Sequence, residues 1–231
     1  MSTLIKTQGS NISISGKTIF SNPPVIDLLA GLQAFYKLSD LTDSSGNNNT
    51  LTNNGNVTFA SGKIGDAAVF DGTNYLDTNV SVNDNSAFTI SCWSDCDSIQ
   101  SGDNAIFGSM TTGDERAILF GYSDGNSYAS LNTADNGYVQ ISGPAIVTQE
   151  WMHLTLSYNG SKAKMYVDGA LYAEADCTGI VNAEPSIRIG ADGNGGSTFL
   201  GKVDAAGIWN RALNEGEVAA LYNSGNGLEL N

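Results

Sequence analysis

Tyr75, Tyr122, Tyr128 and Tyr138 fall in or beside segments that read as hairpin ends, accompanied by Asn126, Asn132, Asp135 and Asn136. Aromatic faces beside amides and carboxylates are the equipment of a saccharide site. The rings stack on the sugar and the polar tips bond its hydroxyls. The same tyrosines would equally suit the edges of a two-sheet sandwich, rings packed and hydroxyls wet. Tyr75, Tyr122, Asn126, Tyr128, Asn136 and Tyr138 are therefore the candidate ligand contacts.

Catalytic chemistry finds less material. Glycoside hydrolysis needs two facing carboxyl groups. Asp114-Glu115 and Asp192 stand alone in loops, Glu215 and Glu217 fall in a helical pattern, and no Glu-x-Asp-x-x-Glu run occurs. His153 is the only histidine, which excludes a multi-histidine metal centre. It lies between Met152 and Leu154 and reads as a packed side chain rather than a general base. No glycine-rich loop joins a strand to a phosphate-cradling helix. The expectation is a protein that binds and is not an enzyme.

The elements that must position these groups are strands. Asn54-Gly55, Asp71-Gly72, Asp124-Gly125, Asn136-Gly137, Asn159-Gly160 and Asp168-Gly169 recur between short segments of strand character. Each dipeptide favours the positive φ of tight turns, so each is expected to reverse the chain between antiparallel strands. Trp151–Ala175 reads as a three-stranded meander. Arg116–Tyr122 and Ser127–Leu131 read as a hairpin around Asp124-Gly125. The one convincing helix is Glu215–Tyr222, with Asn214 as N-cap and Glu217 completing a capping box. An all-β, two-sheet antiparallel sandwich with a short C-terminal helix follows.

Lys and Arg total 10 against 24 Asp and Glu, for a formal charge of −14. That field repels phosphate backbones and anionic lipid, so neither nucleic acid nor membrane insertion is expected. The carboxylates serve solubility or supply oxygen ligands to a divalent cation. Cys92 and Cys96 fall on one strand face about 13 Å apart. A disulfide needs Cα atoms within about 7 Å, so that pair cannot close while the strand runs straight. Buried free thiols are expected, with a bridge from Cys177 to either partner left open. No secretory h-region or membrane-length apolar run is evident, which suggests synthesis in a cytoplasm. Residues 1–28 are polar and weakly alternating at Ile12, Ile14 and Ile19 before Pro23-Pro24. They read as a leader, an extra edge strand, or an arm that attaches by adding a strand to a neighbouring subunit.

Four stretches carry a family resemblance. These are Gly31–Leu38 with Asp43–Asn49; Gly62–Gly72 leading to Tyr75-Leu76 and Phe88–Trp93; Trp151–Gly160 with Met165–Gly169; and Ile208–Leu213 with Glu217–Tyr222. Together they resemble the laminin-G-like, concanavalin A-like jelly-roll family in its bacterial and phage form, over residues 29–228. The resemblance implies a jelly-roll sandwich and one structural Ca²⁺. It would lie where the loop after the first strand meets the last, with Asp43, Asn48 and Asp204 as ligands and carbonyls from Ser45 and Gly46. The alternative is an Asx-turn at Asp43 and a solvated Asp204. The functional expectation is a bacteriophage virion structural protein, a head-decoration or tail-appendage subunit. It would dock on other virion subunits through residues 1–28 in a symmetric assembly and face host-surface glycans from the virion surface. The alternative is a carbohydrate-binding module of a bacterial surface or secreted protein, located outside the cell. A glycosidase or lyase is the third class.

Overall fold

The structure is a computed structural model describing residues 12–14, 17–19, 26–82, 87–110, 116–181 and 184–230. Ile12–Ile14 (β1) and Lys17–Ile19 (β2) pair with each other as an antiparallel two-stranded sheet of their own. The rest of the expected arm up to residue 25 lies outside the described residues, and its attachment role stays an expectation.

Fifteen further strands build two antiparallel sheets: Leu32–Tyr36 (β3), Thr52–Asn54 (β4), Thr58–Ser61 (β5), Asp66–Asp71 (β6), Tyr75–Asp77 (β7), Phe88–Cys96 (β8), Asp103–Met110 (β9), Arg116–Ser123 (β10), Asn126–Thr133 (β11), Gly137–Ala145 (β12), Trp151–Tyr158 (β13), Lys162–Val167 (β14), Ala170–Asp176 (β15), Glu184–Ile189 (β16) and Leu200–Trp209 (β17). The seven-stranded sheet runs β12-β11-β10-β9-β16-β7-β4. The eight-stranded sheet runs β15-β14-β13-β8-β17-β6-β5, with β3 also on β17.

The expected hairpin at Asp124-Gly125 is present, both residues at positive φ (46° and 82°). The Trp151–Ala175 meander appears as β13–β15, reversed at Asp168-Gly169 with φ of 49° and 77°. Two of the six dipeptides do something else. β4 and β5, flanking Asn54-Gly55, belong to different sheets, as do β6 and β7 around Asp71-Gly72. Those glycines turn the chain from one layer to the other. A local turn fixes a change of direction but not which strand the chain joins next.

Between the layers lies the main core, built on Tyr36, Phe70, Phe88, Ile90, Phe107, Ile118, Phe120, Leu154, Leu156, Tyr158, Ile187, Ile189 and Ile208. A second cluster sits on the outer side of the eight-stranded sheet. There Phe35, Trp93, Tyr166 and Trp209 are covered by Leu28, Leu213, Val218, Leu221 and Leu230. The helix Glu215–Tyr222 (α1) belongs to this cover. The Asn214 side chain accepts from Glu217 N, and the Glu217 carboxylate accepts from Asn214 N, as the capping box requires. Trp209 Nε1 donates to Leu28 O at 2.8 Å, fixing the cover to the last strand.

β17 pairs β8 on one side; on the other it pairs β6 through Leu200–Val203 and β3 through Ala206–Trp209. The change of partner coincides with a register shift between Asp204 and Gly207, where Ala205 takes φ 48°. Cys92, Cys96 and Cys177 are free and buried, so the bridge left open for Cys177 is not made. Among the described residues no helix is long and apolar enough to cross a membrane.

Candidate functional site: the outward face of the seven-stranded sheet

Alternation decides what this face presents. In β10, Ile118, Phe120 and Tyr122 point into the core, so Leu119 and Gly121 point out. In β11, Ala129 and Leu131 go in, and Tyr128 and Ser130 come out. In β12, Ile141 goes in while Tyr138 and Gln140 come out. The register sets Tyr128 opposite Gly121 and Ser130 between Leu119 and Gln140. A side chain at Gly121 would sit 2.2 Å from Asn104 O, so that position stays bare. The Tyr128 ring accordingly packs with Ala105 and Leu119 in a small cluster separate from the core.

The result is a shelf of aromatic, hydroxyl and amide groups carrying no charge along β11 and β12. Tyr138 is 43% exposed and its hydroxyl donates to Ser130 Oγ at 2.9 Å. Burial, and Tyr138 beside it, raise the Tyr128 phenol above its ordinary value, so it stays a neutral donor.

A charged wall borders the shelf at β9. Arg116 pairs with Asp103, bonds Ser197 Oγ at 3.0 Å and lies 3.7 Å from Asp192. Asp192 is buried and accepts from Gly196 N at 2.7 Å, closing its own loop. That loop lies against the sheet: Ser197 O accepts from Ala105 N at 2.7 Å, and a Cβ at Gly108 would fall 2.4 Å from Asp192 Cα. Beyond the wall Arg188 donates to Asp77 at 2.7 Å and lies over the Tyr75 ring at 4.6 Å.

The structure therefore brings Tyr128 and Tyr138 together and places Tyr75 under a guanidinium farther along the same sheet. Tyr122 is a correction. It is 3% exposed, packs on Phe199 and shares a 2.6 Å hydrogen bond with Ser94 Oγ, because it has the inward parity of Phe120. Asn126 is exposed at its own turn, its amide directed to Asp124 O. The carbonyl oxygen of Asn136 accepts from Thr178 N and Oγ1 at 2.6 and 2.8 Å, joining two loops. Arg116, Asp103, Ser130 and Ser197 were missed. Of these only Ser130, two residues from Tyr128, carried a local signal.

Of the cation ligands implied by the resemblance, Asp43 is fully engaged by protein donors. Asp43 accepts from Phe35 N, Ser45 N, Ser45 Oγ and Asn49 N, at 2.8–3.0 Å, which fills its lone-pair positions. Asn48 is an exposed residue at φ 61°. Asp204 is fully buried and its Oδ2 accepts from Lys63 N and Ile64 N at 2.8 and 2.7 Å. The alternative of a solvated Asp204 is thus a correction, whereas the Asx-turn at Asp43 is present. Among the described residues no three His, Cys, Asp or Glu side chains gather as a metal site. Asp43 is thus taken by donors of its own region, whereas Asp204 keeps one buried oxygen, Oδ1, without a partner among the described residues, a hard donor of the kind a cation uses.

His153 is 2% exposed, and burial pushes its pKa down to about 3. Its Nε2 lies 3.1 Å from Ser91 Oγ, beneath Trp93 and Tyr222. It is the packed histidine the sequence suggested, although its Nδ1 has no partner.

Known proteins share the two-sheet architecture. The chain belongs to the concanavalin A-like lectin/glucanases superfamily, whose laminin-G family model matches residues 70–219. The jelly-roll class follows. No curated protein matches the sequence. Among solved structures it is similar to the binding domain of Paraclostridial Mosquitocidal Protein 1. There the TM-score is 0.70 and the identity 19%, over 86% of this chain and 53% of that one. It is also similar to domain 4 of AbnA, a GH43 extracellular arabinanase from Geobacillus stearothermophilus, solved with arabinotriose. That match has TM-score 0.63 and 24% identity, over 82% of this chain and 97% of that one. The botulinum neurotoxin type G receptor binding domain aligns at TM-score 0.69 and 15% identity, over 84% of this chain and 51% of that one. The chain thus spans about half the length of the two toxin domains. These likenesses establish the fold.

Proposed function

We propose that this protein is a non-enzymatic glycan-binding domain that holds a saccharide on the outward shelf of β10–β12. The observation that carries the reading is the exposed Tyr138 ring, fixed by its bond to the buried Ser130 hydroxyl and set beside the exposed Gln140 amide and the edge of the mostly buried Tyr128. The arabinanase domain solved with arabinotriose on the same fold supports it. Asp103 and Asp192 both accept from donors fixed by the fold, so neither carboxyl group is free to face a scissile bond as one of a catalytic pair. A glycan array followed by calorimetry tests the reading. Tyr138→Ala should abolish binding of the best saccharide, while Tyr122→Phe, altered in the core, should leave it intact. Equal binding by Tyr138→Ala and the parent overturns it.

The finer reading is that this domain is displayed on a bacteriophage virion, attached through residues 1–28. Its support is the β1–β2 hairpin, which forms a sheet of its own apart from the sandwich. Mass spectrometry of purified particles tests it: the chain should be a stoichiometric component, and particles whose chain lacks residues 1–25, which spares Asp27 and Leu28, should lose the domain.

A further inference from the structure

On the opposite side of the sandwich, independent of that shelf, a cavity of about 540 Å³ opens between β13, β14 and the start of α1. Ser157, Asn159, Lys164, Tyr166, Asn214 and Gly216 line it, with Lys162 and Glu215 at its walls. The volume is that of a small-ligand pocket.

Its hydrogen-bonding groups are unbalanced. The carbonyl oxygen of Asn159 already accepts from Ser161 N, Ser161 Oγ and Lys162 N. That of Asn214 accepts from Glu217 N. The Ser157 hydroxyl donates to Leu213 O. What is left over is donors. The side-chain NH₂ groups of both asparagines face no acceptor among the described residues. Glu215 N and Gly216 N belong to the first turn of a helix, where amides have no partner within the helix. Lys162 is held by Glu174 and Asp176 at 2.8 and 2.9 Å. Lys164 is not: Glu174 and Glu215 approach it only to 3.8 and 3.7 Å, too far for a hydrogen bond.

Tyr166 supplies the second, independent sign. It is 1% exposed yet lies on the cavity wall, and its hydroxyl makes no hydrogen bond among the described residues. Burial, then Glu215 and Glu174, push that phenol up to about 12, so it remains a proton donor across the physiological range. With no acceptor in the protein, that hydroxyl is open to an acceptor that enters the cavity.

We propose that this cavity is a second binding site, for an acidic sugar whose carboxylate accepts from Lys164, Tyr166 and the first amides of α1. The pocket exceeds what a bare ion fills, and the asparagine amides stand ready for ring hydroxyls. Glu215, the one carboxylate on the wall, competes with the ligand for Lys164.

Calorimetry on the full chain with glucuronate, glucose and inorganic phosphate tests it. Glucuronate should bind at least about tenfold more tightly than glucose, the margin of one charge-assisted hydrogen bond. Lys164→Gln and Tyr166→Phe should each weaken glucuronate by about tenfold, and Glu215→Gln should tighten it. Tyr138→Ala should leave it unchanged, which separates this site from the shelf. Thermal melts confirm that each variant folds, and Tyr166→Phe keeps the buried ring. Glucuronate binding that Lys164→Gln leaves intact overturns the proposal. So does phosphate binding as tightly as glucuronate, or no glucuronate binding at all.

Discussion

His153 Nε2 stands 3.1 Å from the Ser91 hydroxyl, which is itself 2.7 Å from Thr155 Oγ1, all within the second cluster under α1. The imidazole is neutral there, with a pKa near 3 against 6.5 when unfolded. Between those values the unfolded chain binds more protons than the folded one, so stability rises with pH across the window and is lost as pH falls below 6.5. By pH 3 the loss is on the order of 4 kcal/mol. Urea melts at pH 3.5–7 should show this slope, and His153→Asn should flatten it. An unchanged slope in the variant would sink the assignment.

Arg211 clasps the Glu217 carboxylate with two 2.8 Å bonds and reaches Ala30 O and Asp27 O at 2.6 Å. Glu217 is nearly buried, so Arg211→Ala strands a charge beneath the helix. Destabilisation of about 3 kcal/mol is expected by denaturant titration. Glu217→Gln, which removes the stranded charge, should cost less.

Asp43 anchors the loop after β3 through backbone donors on both flanks. Asp43→Ala should lower stability by about 2 kcal/mol, since buried amides lose their acceptor. Because the same oxygens are already engaged, adding Ca²⁺ or a chelator should leave the thermal midpoint of the parent protein unchanged. A Ca²⁺-dependent rise would show that the loop rearranges around a cation.

Arg116 is the bond between β10 and the 190–198 loop. Arg116→Ala should raise amide exchange in residues 191–198 while changing global stability little. Hydrogen–deuterium exchange with peptide resolution reads this directly. Unchanged protection in the variant would mean that backbone bonds such as Ala105 N to Ser197 O hold the loop without Arg116.

The thiols of Cys92 and Cys96 are buried, and burial raises both above the ordinary thiol value. Both should react with a thiol reagent only at the rate of unfolding. Rapid modification in native buffer would contradict the packing around β8.

Elements defined by short-range chemistry were legible from residues alone. The capping box at Asn214 and Glu217 lies within four positions, and the β13–β15 meander declares itself by alternation. Tyr122 was misplaced although a signal existed, since it shares the parity of Ile118 and Phe120. Asn54-Gly55 and Asp71-Gly72 misled because identical turn chemistry serves hairpins and crossings between layers. The Arg116 wall was invisible for a deeper reason. Asp103, Arg116 and the loop that carries Asp192 and Ser197 are three separate segments that only the assembled sheet makes neighbours. Half of the shelf could be found, through Tyr128 and Tyr138, because adjacent strands of one hairpin carry them.

The position of β17 bears on how the protein is made. Take Leu200–Trp209 away and the larger sheet parts into β15-β14-β13-β8 on one side and β3, β5 and β6 on the other. During synthesis some two hundred residues must therefore emerge and wait, their raw strand borders open to neighbouring nascent chains, until one late segment zips the halves together. Pairing over such long separations is slow. Yield in a recombinant host should depend on temperature and chaperone supply more than on the melting point of the finished molecule.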